Sequence, residues 1–224
     1  MNTFIKVDQG SDIIHIDKKV LSNKTNRKLY KQNQQFFDEH VEYKHNSLGY
    51  RTCENVPEIY GIAFGCSHTY GQGLKVSERW STLVEQEVGF DIINLGVCGT
   101  GINFILLNLI RLLTSTLEKP KFIIMQCPNT ARLTLPREFC TNNIIPQRKE
   151  YSSLYIDNSI EYHSIECYNL IHKLCKKENI KIIDFYFWGS LGYKQIEVVD
   201  YARDMAHPGI ETQNLIKNYI MSNL

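Results

Sequence analysis

The chain has 224 residues, enough for one domain that buries about 70% of the surface its unfolded form exposes, so no disulfide or structural metal is needed to hold it. With 25 Lys and Arg against 24 Asp and Glu, the net charge of +1 gives no electrostatic reason to expect nucleic acid or an acidic membrane as a partner. The seven cysteines form an odd set with no CxxC pair, and Met1 to Ile16 is polar, so free thiols in a reducing, cytoplasmic setting are expected.

Residues 1–56 are polar and irregular, with a basic run through Lys18, Lys19, Lys24, Arg27, Lys28 and Lys31; they read as an N-terminal arm packed on a domain formed by 57–224. Within the arm, Asn46 to Arg51 is expected to lie against the domain, with Arg51 in an ion pair. From residue 57 short β-type runs alternate with helical patterns, the mark of βαβ units and a mostly parallel sheet. The first strand is predicted over Ile59 to Phe64, closed by Gly65. Ser77 is a predicted N-cap for a helix whose apolar stripe is Trp80, Leu83, Val84 and Val88. Asp91 to Leu95 reads as a second strand, ending in the glycine-rich turn Gly96 to Gly101.

Ile102 to Leu113 is apolar nearly all round and predicts a deeply buried helix, although Asn103, Asn108 and Arg111 make it too short and too polar to span a bilayer. Lys121 to Gln126 is a third strand, and Asn129 to Tyr155 a long loop of the kind that is usually functional or disordered. Ile160 to Lys177 predicts a helix with Ile165, Tyr168, Ile171 and Leu174 on one face. Lys181 to Trp188 predicts a fourth strand, Glu197 to Val199 a short fifth. The last helix runs from Ile210 to Met221, with Leu215, Ile216, Tyr219 and Ile220 inward. The expected architecture is a three-layer α/β/α sandwich, whose ligands bind at the carboxyl ends of the strands.

Four segments fall where that rule places a site. Gly65-Cys66-Ser67-His68 follows strand one, and a serine on a tight strand-to-helix turn exposes its hydroxyl beside backbone N–H groups that can receive an oxyanion. Asp204-Met205-Ala206-His207 precedes the last helix; three residues apart on a helical turn, the carboxylate can hold one imidazole nitrogen and leave the other pointing across the site. Asn94 to Thr100 follows strand two, where the Gly99 N–H can approach developing negative charge. Gln126-Cys127-Pro128-Asn129 follows strand three, and an Asn carboxamide is a good oxyanion donor. Each segment has an ordinary structural explanation as a strand end, a helix cap or a turn. Their order along the chain is what points to chemistry.

That order resembles the SGNH, or GDSL-like, hydrolase family, named for Ser, Gly, Asn and His in four sequence blocks. The resemblance covers about residues 59–222 and implies the SGNH version of the sandwich, with a flavodoxin-like sheet. It implies Ser67 as nucleophile, His207 as general base and Asp204 as its orienter, with Ser67 N–H, Gly99 N–H and the Asn129 side chain as the oxyanion hole. Two blocks depart from the family: Cys66 replaces the Asp of Gly-Asp-Ser, and Cys127-Pro128-Asn129-Thr130 keeps only the Asn of Gly-x-Asn-Asp. The implied activity is a cofactor-free serine esterase acting on a small-molecule or carbohydrate ester with a short acyl group, such as an O-acetyl sugar. Arg132 and His68 are the substrate-binding candidates, with Arg137, Arg148 and Tyr151 on the same long loop. The competing readings are a catalytically degenerate SGNH module binding carbohydrate or a protein partner, a nucleotide-binding domain, and metal or redox chemistry at Cys66, Cys98 and Cys127. The nucleotide reading is poor because Gly65 to Gly73 has neither GxGxxG nor GxxxxGK[ST].

Overall fold

The structure, a computed structural model, describes residues 3–7, 41–134, 159–188, 192 and 194–224. Most of the predicted arm, the basic run from Lys18 to Lys31, and the loop positions Arg137, Arg148 and Tyr151 lie outside these residues.

Four strands, β1 (Tyr60–Phe64), β2 (Asp91–Asn94), β3 (Phe122–Gln126) and β4 (Lys181–Phe185), form one parallel sheet in the order β2-β1-β3-β4. Every residue of β1 and β3 is buried, which is why these central strands read as continuous apolar runs rather than as alternating ones. The helices are α1 (Ser67–Tyr70), α2 (Trp80–Val88), α3 (Ile102–Leu113), α4 (Ser159–Lys177) and α5 (Ile210–Met221).

Two apolar layers sandwich the sheet. On one face Ile62, Phe64, Ile123 and Met125 meet Phe104, Ile105 and Leu109 of α3 and Cys167, Ile171 and Cys175 of α4. On the other face Ala63, Ile124, Ile183 and Phe185 meet Trp80 and Val84 of α2 and Ile216 and Ile220 of α5. Each fully buried Ile or Phe in these layers contributes roughly 1.5–3 kcal/mol by leaving water. The α/β/α sandwich with a flavodoxin-like strand order is therefore present.

Phe4, Ile5 and Val7 join the first layer, tied down by Val7 N–H to Leu48 O at 2.8 Å and by the Tyr50 hydroxyl to Ile5 O at 2.7 Å. Among the described residues, no helix is long and apolar enough to cross a membrane.

Several expectations shift in detail. Val76–Glu78 is a separate 3₁₀ turn, so Ser77 does not cap α2; the N-cap is Arg79, held in extended geometry. The α3 helix is an outer-layer helix, with Leu107 and Ile110 partly in solvent, because apolar residues outnumber the positions its neighbours cover. In α5 the inward face is Thr212, Gln213, Ile216 and Ile220, and Leu215 turns outward. β4 ends at Phe185, and 197–199 is not a strand; among the described residues the pairing there is a single bridge from Tyr186 to Gln195.

Candidate active site

The order β2-β1-β3 reverses chain direction across the sheet between β1 and β3, and the crevice at their carboxyl ends is where doubly wound folds bind ligands. Ser67 leaves β1 there, as the first residue of α1. Its preceding N-cap residue, Cys66, is fixed by Gln126 at the end of β3, whose Oε1 accepts from Cys66 N–H at 3.2 Å and from the thiol at 3.1 Å. Asn94, at the end of β2 and buried, donates to Thr69 O at 2.7 Å and Ser81 Oγ at 2.8 Å, clamping α1 from the other side.

Arg51 secures the far end of this helix. Its guanidinium donates to Gly71 O at 2.9 Å and Leu74 O at 2.8 Å and lies 4.5 Å from the Tyr43 ring centroid. Among the described residues Arg51 makes no ion pair; carbonyls at and just beyond the C-terminus of α1, where partial negative charge collects, accept from it instead. Burial lowers the Arg51 pKa, and nearby tyrosines oppose that shift.

The Ser67 hydroxyl lies 2.8 Å from His207 Nε2, and His207 Nδ1 lies 2.5 Å from Asp204 Oδ2. Ser67 and His207 are 140 residues apart in sequence. An ionised carboxylate only accepts, so the imidazole carries its proton on Nδ1 and offers the Nε2 lone pair to Ser67 O–H. All three groups are mostly shielded from water, which strengthens each contact.

The geometry of Asp204-x-x-His207 differs from a helical turn. Met205 adopts φ +55°, Asp204 Oδ1 accepts the N–H groups of Ala206 and His207, both at 3.1 Å, and Ala202 N–H closes the loop on His207 O at 2.7 Å. The local side-chain bonds of an aspartate can build such a turn without helix periodicity. One Asp204 oxygen thus shapes the loop while the other holds the imidazole.

Residues without any family signature hold this loop in place. Arg203, buried beside Asp204, grips Glu78 through two contacts at 2.6 and 2.8 Å, a bidentate pair joining the loop to the 3₁₀ turn beyond α1. Gly73 packs directly on the Asp204 carboxyl, which an added Cβ would meet at 3.0 Å. Pairing of Arg203 with Glu78 has no local sequence signal, because 125 residues separate the partners.

Of the remaining predicted residues, Gly99 adopts φ +75°, and neither its N–H nor that of Ser67 reaches an acceptor among the described residues. Asn129 is exposed; its Oδ1 accepts from Ala131 N–H at 2.8 Å, which orients the carboxamide and leaves Nδ2 to donate outward. His68 is buried, with its ring 5.2 Å from His207 and its Nδ1 3.8 Å from the Cys66 thiol. Burial pushes the Cys66 thiol up, but the charge and hydrogen bonding of His68, with Arg132 further out, outweigh it and bring it to about 5. Arg132 is half-buried at the start of the long loop. Among the described residues no group of three His, Cys, Asp or Glu side chains is arranged to hold a metal.

No protein-family model matches the chain, and no curated protein matches it. Solved structures do. The psychrotrophic esterase EstA from Pseudoalteromonas sp. is similar at 12% identity and a TM-score of 0.47, over 73% of this chain and 94% of that one. A G-D-S-L family lipolytic protein from Veillonella parvula is similar at 16% identity and a TM-score of 0.40, over 73% and 97% of the two chains. The SGNH-hydrolase family esterase AlinE4 is similar at 16% identity and 0.40, over 75% and 74%. Of these three, two are described as esterases and two as members of the SGNH-hydrolase or G-D-S-L family.

Proposed function

We propose that the protein is a serine esterase that hydrolyses a short-chain acyl ester through Ser67, His207 and Asp204. The observation that carries this reading is the unbroken relay from the Ser67 hydroxyl through His207 to Asp204, at 2.8 and 2.5 Å. A serine, an imidazole and a carboxylate meeting in that sequence at the switch point of a parallel sheet have a chemistry that a structural role does not require.

In the proposed cycle His207 Nε2 takes the Ser67 proton as Oγ bonds to the ester carbonyl carbon. The carbonyl oxygen becomes an oxyanion, received by the N–H groups of Ser67 and Gly99 and the Asn129 Nδ2. The intermediate collapses, the bond to the alcohol oxygen breaks, and the imidazolium gives that oxygen its proton. A water then attacks the acyl-enzyme, passing its proton to His207, which returns it to Ser67 as the acid leaves. Asp204 keeps the imidazole in the working tautomer and stabilises its positive charge throughout.

Hydrolysis of 4-nitrophenyl acetate tests the reading. Ser67→Ala and His207→Ala should each lose about 10⁴–10⁶ of the turnover rate. Wild-type rates in a clean Ser67→Ala preparation contradict it.

A further inference from the structure

The chain between α1 and the 3₁₀ turn passes through Gly71 and Gly73, both at φ +78°. Backbone without a Cβ is a soft support unless other groups hold it. Gly73 nevertheless bears directly on the relay. An added Cβ there would meet the Asp204 carboxyl, at Cγ and Oδ1, at 3.0 Å, and Ala202 Cβ at 2.9 Å. The Gly73 carbonyl accepts from Arg203 N–H at 3.3 Å and from Arg203 Nη1 at 3.4 Å, so it also touches the loop that carries Asp204.

The third group of Gly73, its N–H, is held from a different part of the chain. It donates to the Tyr43 hydroxyl at 2.8 Å in a buried contact across 30 residues. Tyr43 belongs to a small apolar cluster with Val41 and Tyr70, against which Cys98 packs. Its ring centroid is 5.3 Å from that of Tyr70, and the Arg51 guanidinium lies 4.5 Å from it. Burial holds the Tyr43 phenol above its ordinary range; the Gly73 N–H and Arg51 pull the other way, and the Asp204 charge adds to burial. The group that accepts from Gly73 at neutral pH is therefore the uncharged phenol. A phenylalanine would fill the same apolar space, and burying a hydroxyl opposes folding unless it is bonded. This hydroxyl is used on a backbone N–H whose own residue packs on the triad carboxylate.

We propose that Tyr43 is a positioning residue for the triad: by holding Gly73 N–H it fixes the surface on which the Asp204 carboxyl is seated, and so keeps Oδ2 aimed at His207 Nδ1. Tyr43 touches none of the reacting atoms and lies outside residues 59–222, over which the family resemblance runs. Without the hydroxyl, Gly73 N–H loses its acceptor and the turn shifts, and the carboxylate shifts with it. A displacement of about 1 Å at such a distance can cost as much as about 10² in rate. The role rests on the esterase reading and brings the segment before β1 into that machinery.

Tyr43→Phe, in the full chain, removes one oxygen and keeps the ring. Its kcat on 4-nitrophenyl acetate should fall about tenfold with KM nearly unchanged. The second readout is the proton on His207 Nδ1, bonded to Asp204 Oδ2 at 2.5 Å. It should resonate far downfield in the proton NMR spectrum and be assigned by its disappearance in His207→Ala. Tyr43→Phe should move that resonance upfield or speed its exchange with water, whereas loss of a purely structural contact would lower the thermal midpoint and leave the proton alone. A resonance that Tyr43→Phe leaves in place, a wild-type spectrum without one, or an active enzyme whose kcat the substitution does not change would overturn the role. If wild-type protein cleaves no ester, the esterase reading fails, and the resonance alone then decides whether Tyr43 seats Asp204.

Discussion

Asp204 performs two tasks with two oxygens, and a substitution that changes one atom separates them. In Asp204→Asn the Oδ1 position can still accept from Ala206 and His207 N–H, so the loop survives. The Oδ2 position facing His207 Nδ1 can then present an amide N–H, which forces the imidazole into the tautomer with no lone pair for Ser67. Turnover should fall by about 10⁴ with the unfolding midpoint nearly unchanged. A large loss of stability with modest loss of rate would mean that Asp204 is chiefly a loop former. Asn129→Ala should cost about 10²–10³ in turnover if its Nδ2 receives the oxyanion. A wild-type rate there would leave the hole to the two backbone donors.

The residue types at these positions are legible because their chemistry is local: Ser67 and Asn129 follow within three residues of the ends of β1 and β3, Asn94 ends β2, and Asp204 and His207 sit three apart. The geometry of the last pair is not, since spacing alone cannot distinguish a helical turn from the loop that Met205 makes with φ +55°.

Two separate pieces of chain are held face to face at the site. The α1 turn is fixed by Gln126, Asn94 and Arg51, and the His207 loop is fixed to the 3₁₀ turn by Arg203 and Glu78. Removing one partner of this part-buried ion pair leaves the Glu78 carboxylate partly shielded and uncompensated, so Arg203→Met should lower the urea midpoint measurably. It should also reduce turnover in the protein that stays folded, because Asp204 is the next residue. Retention of full stability would show that Glu78 finds water without penalty.

Asp200 is a second such anchor. It accepts from Glu211 N–H at 2.9 Å and Thr212 N–H at 2.8 Å, capping α5 from outside the usual N-cap position, which Gly209 occupies. Asp200→Ala should cost about 0.5–2 kcal/mol, measured as a lowered thermal midpoint. The Arg203–Glu78 pair carries no local sequence signal, whereas the packing of the Asn46–Arg51 segment on the domain does. The helix bounds of α3 and α5 were readable, because twelve-residue apolar patterns bracketed by turn residues leave little choice. The inward face of α5 was misread at Leu215, where hydrophobicity pointed in and the buried, hydrogen-bonded Gln213 took the place instead.

Over the whole molecule, the sandwich orders its thiols by depth. Cys53 is exposed, whereas Cys127, Cys167 and Cys175 are buried. Burial holds the Cys127 thiol far above its ordinary range, with the Asp184 charge adding to the effect, and pushes Cys175 up to about 12. Iodoacetamide followed by peptide mass mapping should therefore modify Cys53 in native protein and reach Cys127 and Cys175 only on global unfolding. Modification of Cys175 as fast as Cys53 would contradict the packing of α4 on the sheet. The layered architecture was legible from alternation of β runs and helices, since each βαβ unit is specified by patterns within some thirty residues.

The activated serine is most directly tested by a fluorophosphonate probe, with intact mass as the readout. The relay of Ser67, His207 and Asp204 predicts one adduct per chain, located on Ser67 by peptide mapping and lost in both Ser67→Ala and His207→Ala. An unlabelled wild-type protein, or an adduct that persists when Ser67 is replaced, would contradict it.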